Sequence, residues 1–171
     1  MLQQTSLLNQ KIKVFDLEKF RRLRENTELE YKKIISIHSP ALKSDVVFNS
    51  DGFHHLRYDN TRAERSKESQ RSKFLFFNKA VDIIRKSTTI QEYRRSVMPV
   101  GHPDRSGFRK TKSVEWFGFY AITSFSDQIR VMTVIRRIGG NSGQYHFWSV
   151  MPFWTLSNKQ RIIGSKIIMD N

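Results

Sequence analysis

Val114-Glu115-Trp116-Phe117-Gly118-Phe119-Tyr120-Ala121-Ile122-Thr123, then Ile129-Arg130-Val131-Met132-Thr133-Val134-Ile135-Arg136-Arg137, then Tyr145-His146-Phe147-Trp148-Ser149-Val150-Met151, decides the fold. The three runs are rich in aromatic and β-branched residues, the types that fit a pleated, half-buried surface. The middle run is almost continuously apolar, as a central strand is. Gly139-Gly140-Asn141-Ser142-Gly143 joins the second run to the third, and a glycine-rich linker between strand signals reads as a hairpin loop. Pro152 is expected to close the last strand. A strand meander therefore ends the fold.

Upstream the period changes from two to about 3.6. Leu17, Phe20, Leu23 or Arg24, Thr27 and Tyr31 recur at three- and four-residue spacing, which predicts an amphipathic helix from Asp16 to about Lys33 with Asp16 as N-cap. Ile34-Ile35 extends that pattern, and Ser39-Pro40 ends any helix that reaches it. Val46 to Phe48 is a short strand signal, and Asn49-Ser50-Asp51-Gly52 reads as a turn. Asn60 to Arg71 is polar, and Phe74, Phe77, Val81 and Ile84 place a second helix over Ser69 to Arg85. Ser87 to Arg95 reads as a turn and a helical turn anchored by Ile90 and Tyr93, and Met98 to Ser113 as loop.

Helices first and a meander after them predict an α+β fold, with N-terminal helices packed on a small antiparallel sheet of about four strands. The expected organisation is an N-terminal helical extension over 1–44, an α+β domain over 45–155 and a tail over 156–171. In that tail Ile162-Ile163 and Ile167-Ile168 are candidates for a short edge segment.

Composition narrows the function. Among 171 residues, 30 Lys and Arg face 16 acids, a formal charge of +14, and such an excess speaks about partners, not fold. A polyanion whose condensed counterions are released on binding is the partner it fits. There is no cysteine, so disulfides, thiolate metal sites and cysteine nucleophiles are excluded. No apolar run reaches the ~18 residues of a membrane span, and Met1 to Leu8 lacks the apolar core of a signal peptide. A cytoplasmic location without a membrane partner is expected.

The residues best suited to chemistry lie in Gly52-Phe53-His54-His55-Leu56-Arg57, expected on a turn. Histidine exchanges protons near neutral pH, and arginine offers a fixed fork of donors for phosphate. No phosphate loop, dinucleotide fingerprint, nucleophile elbow or metal-binding carboxylate cluster accompanies them. No cofactor and no metal are expected. Metal-free RNA cleavage needs only a proton-transfer pair around the ribose 2′-OH and cations for the developing charge. His55 or His54, Arg57, Arg136 or Arg137, and Ser149 are the candidates for that work. Arg62, Arg65, Arg105, Arg109, Lys110, Lys112 and Tyr145 are candidates for holding the nucleic acid. Strict alternation puts Tyr145, Phe147, Ser149 and Met151 on one face, and Arg136 and Arg137 on opposite faces of their strand.

The order of these pieces resembles the barnase–EndoU–colicin–RelE (BECR) group of metal-independent ribonucleases, particularly its phage and mobile-element branches. The matching residues are Gly52-Phe53-His54-His55-Leu56-Arg57, the helix over Ser72 to Arg85, Val131 to Arg137 and Phe147-Trp148-Ser149-Val150. The resemblance spans roughly Asp45 to Pro152 and implies RNA cleavage, with RNA favoured over DNA, as a toxin or effector met by an acidic antidote. It implies His55 as general acid/base, Arg57 and Arg136 or Arg137 as phosphate ligands, and Ser149 as the hydroxyl. Two rival expectations are a basic nucleic-acid-binding protein without chemistry, and an assembly protein that folds against an acidic partner.

Overall fold

Helix α1, Leu17–Lys33, starts where Asp16 stands in extended backbone and accepts the Lys19 N–H at 3.0 Å. The computed structural model describes residues 15–124 and 129–154, so the edge segment expected in the tail lies outside the described residues. α1 buries Phe20, Thr27 and Tyr31, the face expected from the spacing. The chain then runs through β1 (Ser36–Ser39), β2 (Ser44–Val47), α2 (Ser50–Arg57), α3 (Lys67–Leu75) and α4 (Phe77–Lys86). It closes with β3 (Glu92–Val100), β4 (Lys110–Ser124), β5 (Ile129–Ile138) and β6 (Tyr145–Trp154).

The six strands form one sheet in the order β1-β2-β6-β5-β4-β3. Every pairing is antiparallel except β2 with β6. The α+β class is as expected. The four-strand antiparallel count is corrected to six: β1 and β3 add the two edges, and the β2–β6 pair makes the sheet mixed. α1 supplies Phe20 and Tyr31 to the central core, and β1 is bonded to β2, so the segment expected as an N-terminal extension shares one core and one sheet with the rest.

Five local readings change. The turn expected at Asn49 is the start of helix α2, because the Asn49 carboxamide oxygen accepts the Gly52 N–H at 3.2 Å. The helix expected over Ser69 to Arg85 is two helices, divided at Phe76 (φ −100°, ψ 6°). The helical turn expected at Ser87 to Arg95 is absent: Glu92 onward is strand β3, paired with β4 along its whole length, and the expected anchors Ile90, before the strand, and Tyr93, in it, are exposed. The loop expected from Met98 to Ser113 is a hairpin with only residues 101–109 outside the strands. Pro152 lies inside β6 and does not end it. β2 pairs with β6 only at Tyr145 and His146, so further along the strand a missing N–H is tolerated as it is on an edge.

The helices pack on the sheet face that presents Phe117, Phe119, Val131, Ile135 and Phe147. Tyr31 is the centre of this layer, with ring centroids 5.3–5.9 Å from Phe48, Phe53, Phe77 and Phe147. Gly52 is dictated by the same layer: a Cβ there would overlap the Tyr31 hydroxyl and the Phe147 carbonyl oxygen. Gly52→Ala is therefore expected to cost about 1–3 kcal/mol through overpacking, read as a lower midpoint in urea with an unchanged slope. On the opposite face Met132, Val134, Met151 and Phe153 form a second buried cluster with Trp116, Tyr120 and Trp148. Among the described residues that cluster contains no helical side chain.

Candidate nucleic-acid interface

Asn49 caps α2 through its oxygen, which turns its amide nitrogen toward His146 Nδ1 at 3.1 Å. The helix then points its two histidines in different directions. His54 is exposed and stacks on Tyr58 at 4.3 Å. His55 lies half-buried against the Trp148 indole, ring centroids 4.1 Å apart and planes 19° from parallel. The Arg136 guanidinium carbon stands 3.5 Å from the same indole centroid. Two groups that close cannot share one side of a ring, so the indole is held between imidazole and guanidinium.

Trp148 occupies this position because β6 carries an irregularity there. Phe147 pairs with Ile135 and Ser149 with Val134, leaving Trp148 as the extra residue of a bulge. The bulge also resets the alternation expected for this strand. Phe147 and Val150 join the helix-covered core, while Met151 and Phe153 join the opposite cluster.

Burial drives the His55 imidazole down to about 2, and the charges of Lys73, Arg65, Arg136 and His54 push the same way. The ring is therefore neutral across the physiological range. Lys73 of α3 is buried, and it donates to Ser149 Oγ at 2.8 Å and to the Val150 carbonyl at 3.1 Å. Burial lowers its ammonium to about 7, helped by Arg65. Arg136 is lowered to about 10 by burial, with Asp51 at 3.7 Å opposing the shift.

The structure thus gathers His55, Arg136 and Ser149 around Trp148, the last through Lys73. Of the other candidates only Arg65 reaches this group, its Nη2 3.5 Å from His55 Nε2. Arg57 donates to the Tyr58 hydroxyl at 3.3 Å, with the guanidinium carbon 5.2 Å from that ring. Arg65 donates from Nε to the His55 and Tyr58 carbonyls and so closes the end of α2. Arg62 is exposed in a left-handed turn conformation. Arg137 lies on the helix-covered face, donating to Glu115 at 2.7 Å and to the Tyr145 hydroxyl at 2.9 Å, so Tyr145 is engaged there as well. Glu115 raises Arg137 above its ordinary value while Arg137 holds the Glu115 carboxyl down. Lys73, Trp148 and Asp51 were not among the expected site residues. Asn49 with a glycine three residues on was a readable cap signal; no pattern marked Lys73 as buried.

The sheet face opposite the helical core, bordered by α2 through His55 and Asp51, carries further cations. Arg94 lies over Trp116 at 5.5 Å and Arg130 over Tyr120 at 5.8 Å, beside Arg136 over Trp148. Directly opposed residues of antiparallel strands share a face, so the pairs Arg94–Trp116, Met98–Lys112 and Val100–Lys110 put Lys110 and Lys112 on this side too. Two acids meet it: Glu92, which accepts from the Tyr120 hydroxyl, and Asp51 beside Arg136. Among the described residues Lys110 to Ser113 pair with β3 and with no other strand, so this end of the hairpin extends past the β4–β5 pairing. All residues from 101 to 112 are exposed, including Arg105, Arg109 and a 75% exposed Phe108.

Among the described residues no three His, Asp or Glu side chains are grouped to hold a metal ion, and no helix is long and apolar enough to cross a membrane. Comparison with protein-family models, curated proteins and solved structures finds no match for this chain.

Proposed function

We propose that this protein binds nucleic acid with the sheet face opposite its helical core and the hairpin that extends it. The observation that carries this reading is the collection of Arg94, Lys110, Lys112, Arg130 and Arg136 on one face, three of them stacked on aromatic rings. A guanidinium already held over a ring loses less conformational entropy when it meets a phosphate, which serves Arg94 and Arg130; Arg136 is mostly buried, with Nε enclosed and Nη2 3.7 Å from Asp51. The formal charge of +14 supplies the long-range attraction. Lysine acetylation footprinting tests the placement. Lys110 and Lys112 are expected to be protected by a bound oligonucleotide while Lys19 and Lys32 of α1 stay reactive. Equal reactivity of all four with and without nucleic acid would remove the reading.

A second reading, metal-independent RNA cleavage in the manner of the BECR group, is favoured by one observation: His55 and Arg136 flank Trp148, and the next residue, Ser149, accepts from Lys73. In that scheme His55 is the proton acceptor, a role its lowered basicity opposes, and Arg136 is the cation for the phosphate. The absence of a protonated imidazole near neutral pH leaves Lys73, at about 7, as the titratable partner. Labelled RNA incubated with the protein in excess EDTA is expected to give 2′,3′-cyclic phosphate ends under this reading, and intact RNA would end it.

A further inference from the structure

We propose that the β3–β4 hairpin is an arm that enters a groove of duplex DNA, with Phe108 as a wedge between base steps at its tip. This rests on the hairpin being a nucleic-acid interface and goes further, naming the partner and the mode of contact. Past the last β4–β5 pair, Val114–Ile138, four β3–β4 pairs continue: Val97–Ser113, Met98–Lys112, Pro99–Thr111 and Val100–Lys110, the last three carrying the ribbon past Ser113, whose carbonyl still accepts the Gly139 N–H. At ~3.3 Å per residue these three carry the ribbon about 10 Å beyond the sheet, and the loop adds to that reach. Residues 94–112 hold Arg94, Arg95, Arg105, Arg109, Lys110 and Lys112 against one acid, Asp104.

That acid is spent on the tip itself. The Asp104 carboxylate accepts the Ser106 and Phe108 N–H groups at 2.8 and 3.0 Å, and its backbone N–H donates to the Phe108 carbonyl at 2.8 Å. The Gly107 N–H donates to the Asp104 carbonyl at 3.0 Å, with Gly107 at φ +81°. The loop is therefore a built turn, and it holds the exposed Phe108 ring among cations at the hairpin tip. Apolar side chains that enter between base steps kink a duplex and let more of it meet the protein. A two-stranded ribbon fits a B-form groove, whereas the major groove of A-form RNA is too deep and narrow for side chains. The ribbon's dimensions thus point to DNA, where the histidine stretch alone pointed to RNA.

The test uses a duplex of about 30 base pairs carrying a fluorophore pair at its ends, with the full chain as titrant, because a duplex of this length is stiff unless kinked. The intact protein is expected to bind and shorten the end-to-end distance. Phe108→Ala is expected to bind with the same salt dependence and to lose the bend, and Phe108→Trp to keep it. Asp104→Ala is expected to lose the bend while binding no more weakly, since it removes a negative charge but releases the turn. Binding without bending by the intact protein, unchanged bending by Phe108→Ala, or tighter binding to duplex RNA or single strands of the same sequence would overturn the proposal. If neutralising the hairpin cations leaves affinity unchanged, the failure lies instead in the reading of the hairpin as an interface.

Discussion

Replacing Lys73 with methionine is expected to flatten the rise in folding stability between pH 7 and 10.5, the interval set by the lysine's folded and ordinary values. The sign follows from proton counting. Between those limits the unfolded chain holds a proton on Lys73 that the folded chain has released, so stability rises with pH across that interval. Below it both states are protonated and the cost of the buried ammonium is constant; above it neither is. For a fully buried group the difference is on the order of a few kcal/mol. Burial raises Tyr31, which acts in the opposite direction once an unfolded tyrosine begins to ionise near pH 10. Urea midpoints at about pH 7, 8 and 9 therefore give the clean comparison. The double variant Lys73→Met with Ser149→Ala also removes the hydroxyl left without its donor. A Lys73→Met protein whose stability climbs with pH as steeply as the parent's would sink this account of the lysine.

Changing Arg105, Arg109, Lys110 and Lys112 together to alanine is expected to have the largest effect on binding. Each phosphate contact removed lowers the slope of log K against log salt by roughly 0.9, and four together cost on the order of a hundredfold or more at low salt. All four residues are exposed, and none takes part in the buried clusters, so the circular dichroism spectrum and melting curve should not move. That contrast separates a lost interface from a damaged fold. Unchanged affinity and slope would show that the hairpin is not where the polyanion lies.

Much of the fold was readable because it is written in local periods. The α1 face of Phe20, Thr27 and Tyr31 follows from spacing alone, and the runs at 114–123, 129–137 and 145–151 are strands as their composition requires. The misread pieces depend on partners far away in sequence. Glu92 to Val100 is a strand because β4 lies beside it; the segment is nearly as polar as a loop and carries no strong period of its own. Ser36 to Ser39 is likewise a strand by virtue of β2. The bulge at Trp148 shifts which side chains share a face, and strict alternation contains no sign of it. Arg136 and Arg137 were equivalent in sequence. The sheet separates them, one against Trp148 and the other in a paired cluster with Glu115 and Tyr145. His55 was legible as a residue of interest, but its neutrality follows from Trp148, Lys73 and Arg65, which only tertiary packing brings around it.

The affinity of the intact chain for a labelled duplex, followed from about 50 to about 300 mM salt, tests the central claim most directly. A log–log plot is expected to be linear with a negative slope of roughly 3 to 5, the value for about four to five phosphate contacts made by the hairpin and the adjoining arginines. Absence of binding at the lowest salt, or an affinity that does not change as salt rises, would contradict it.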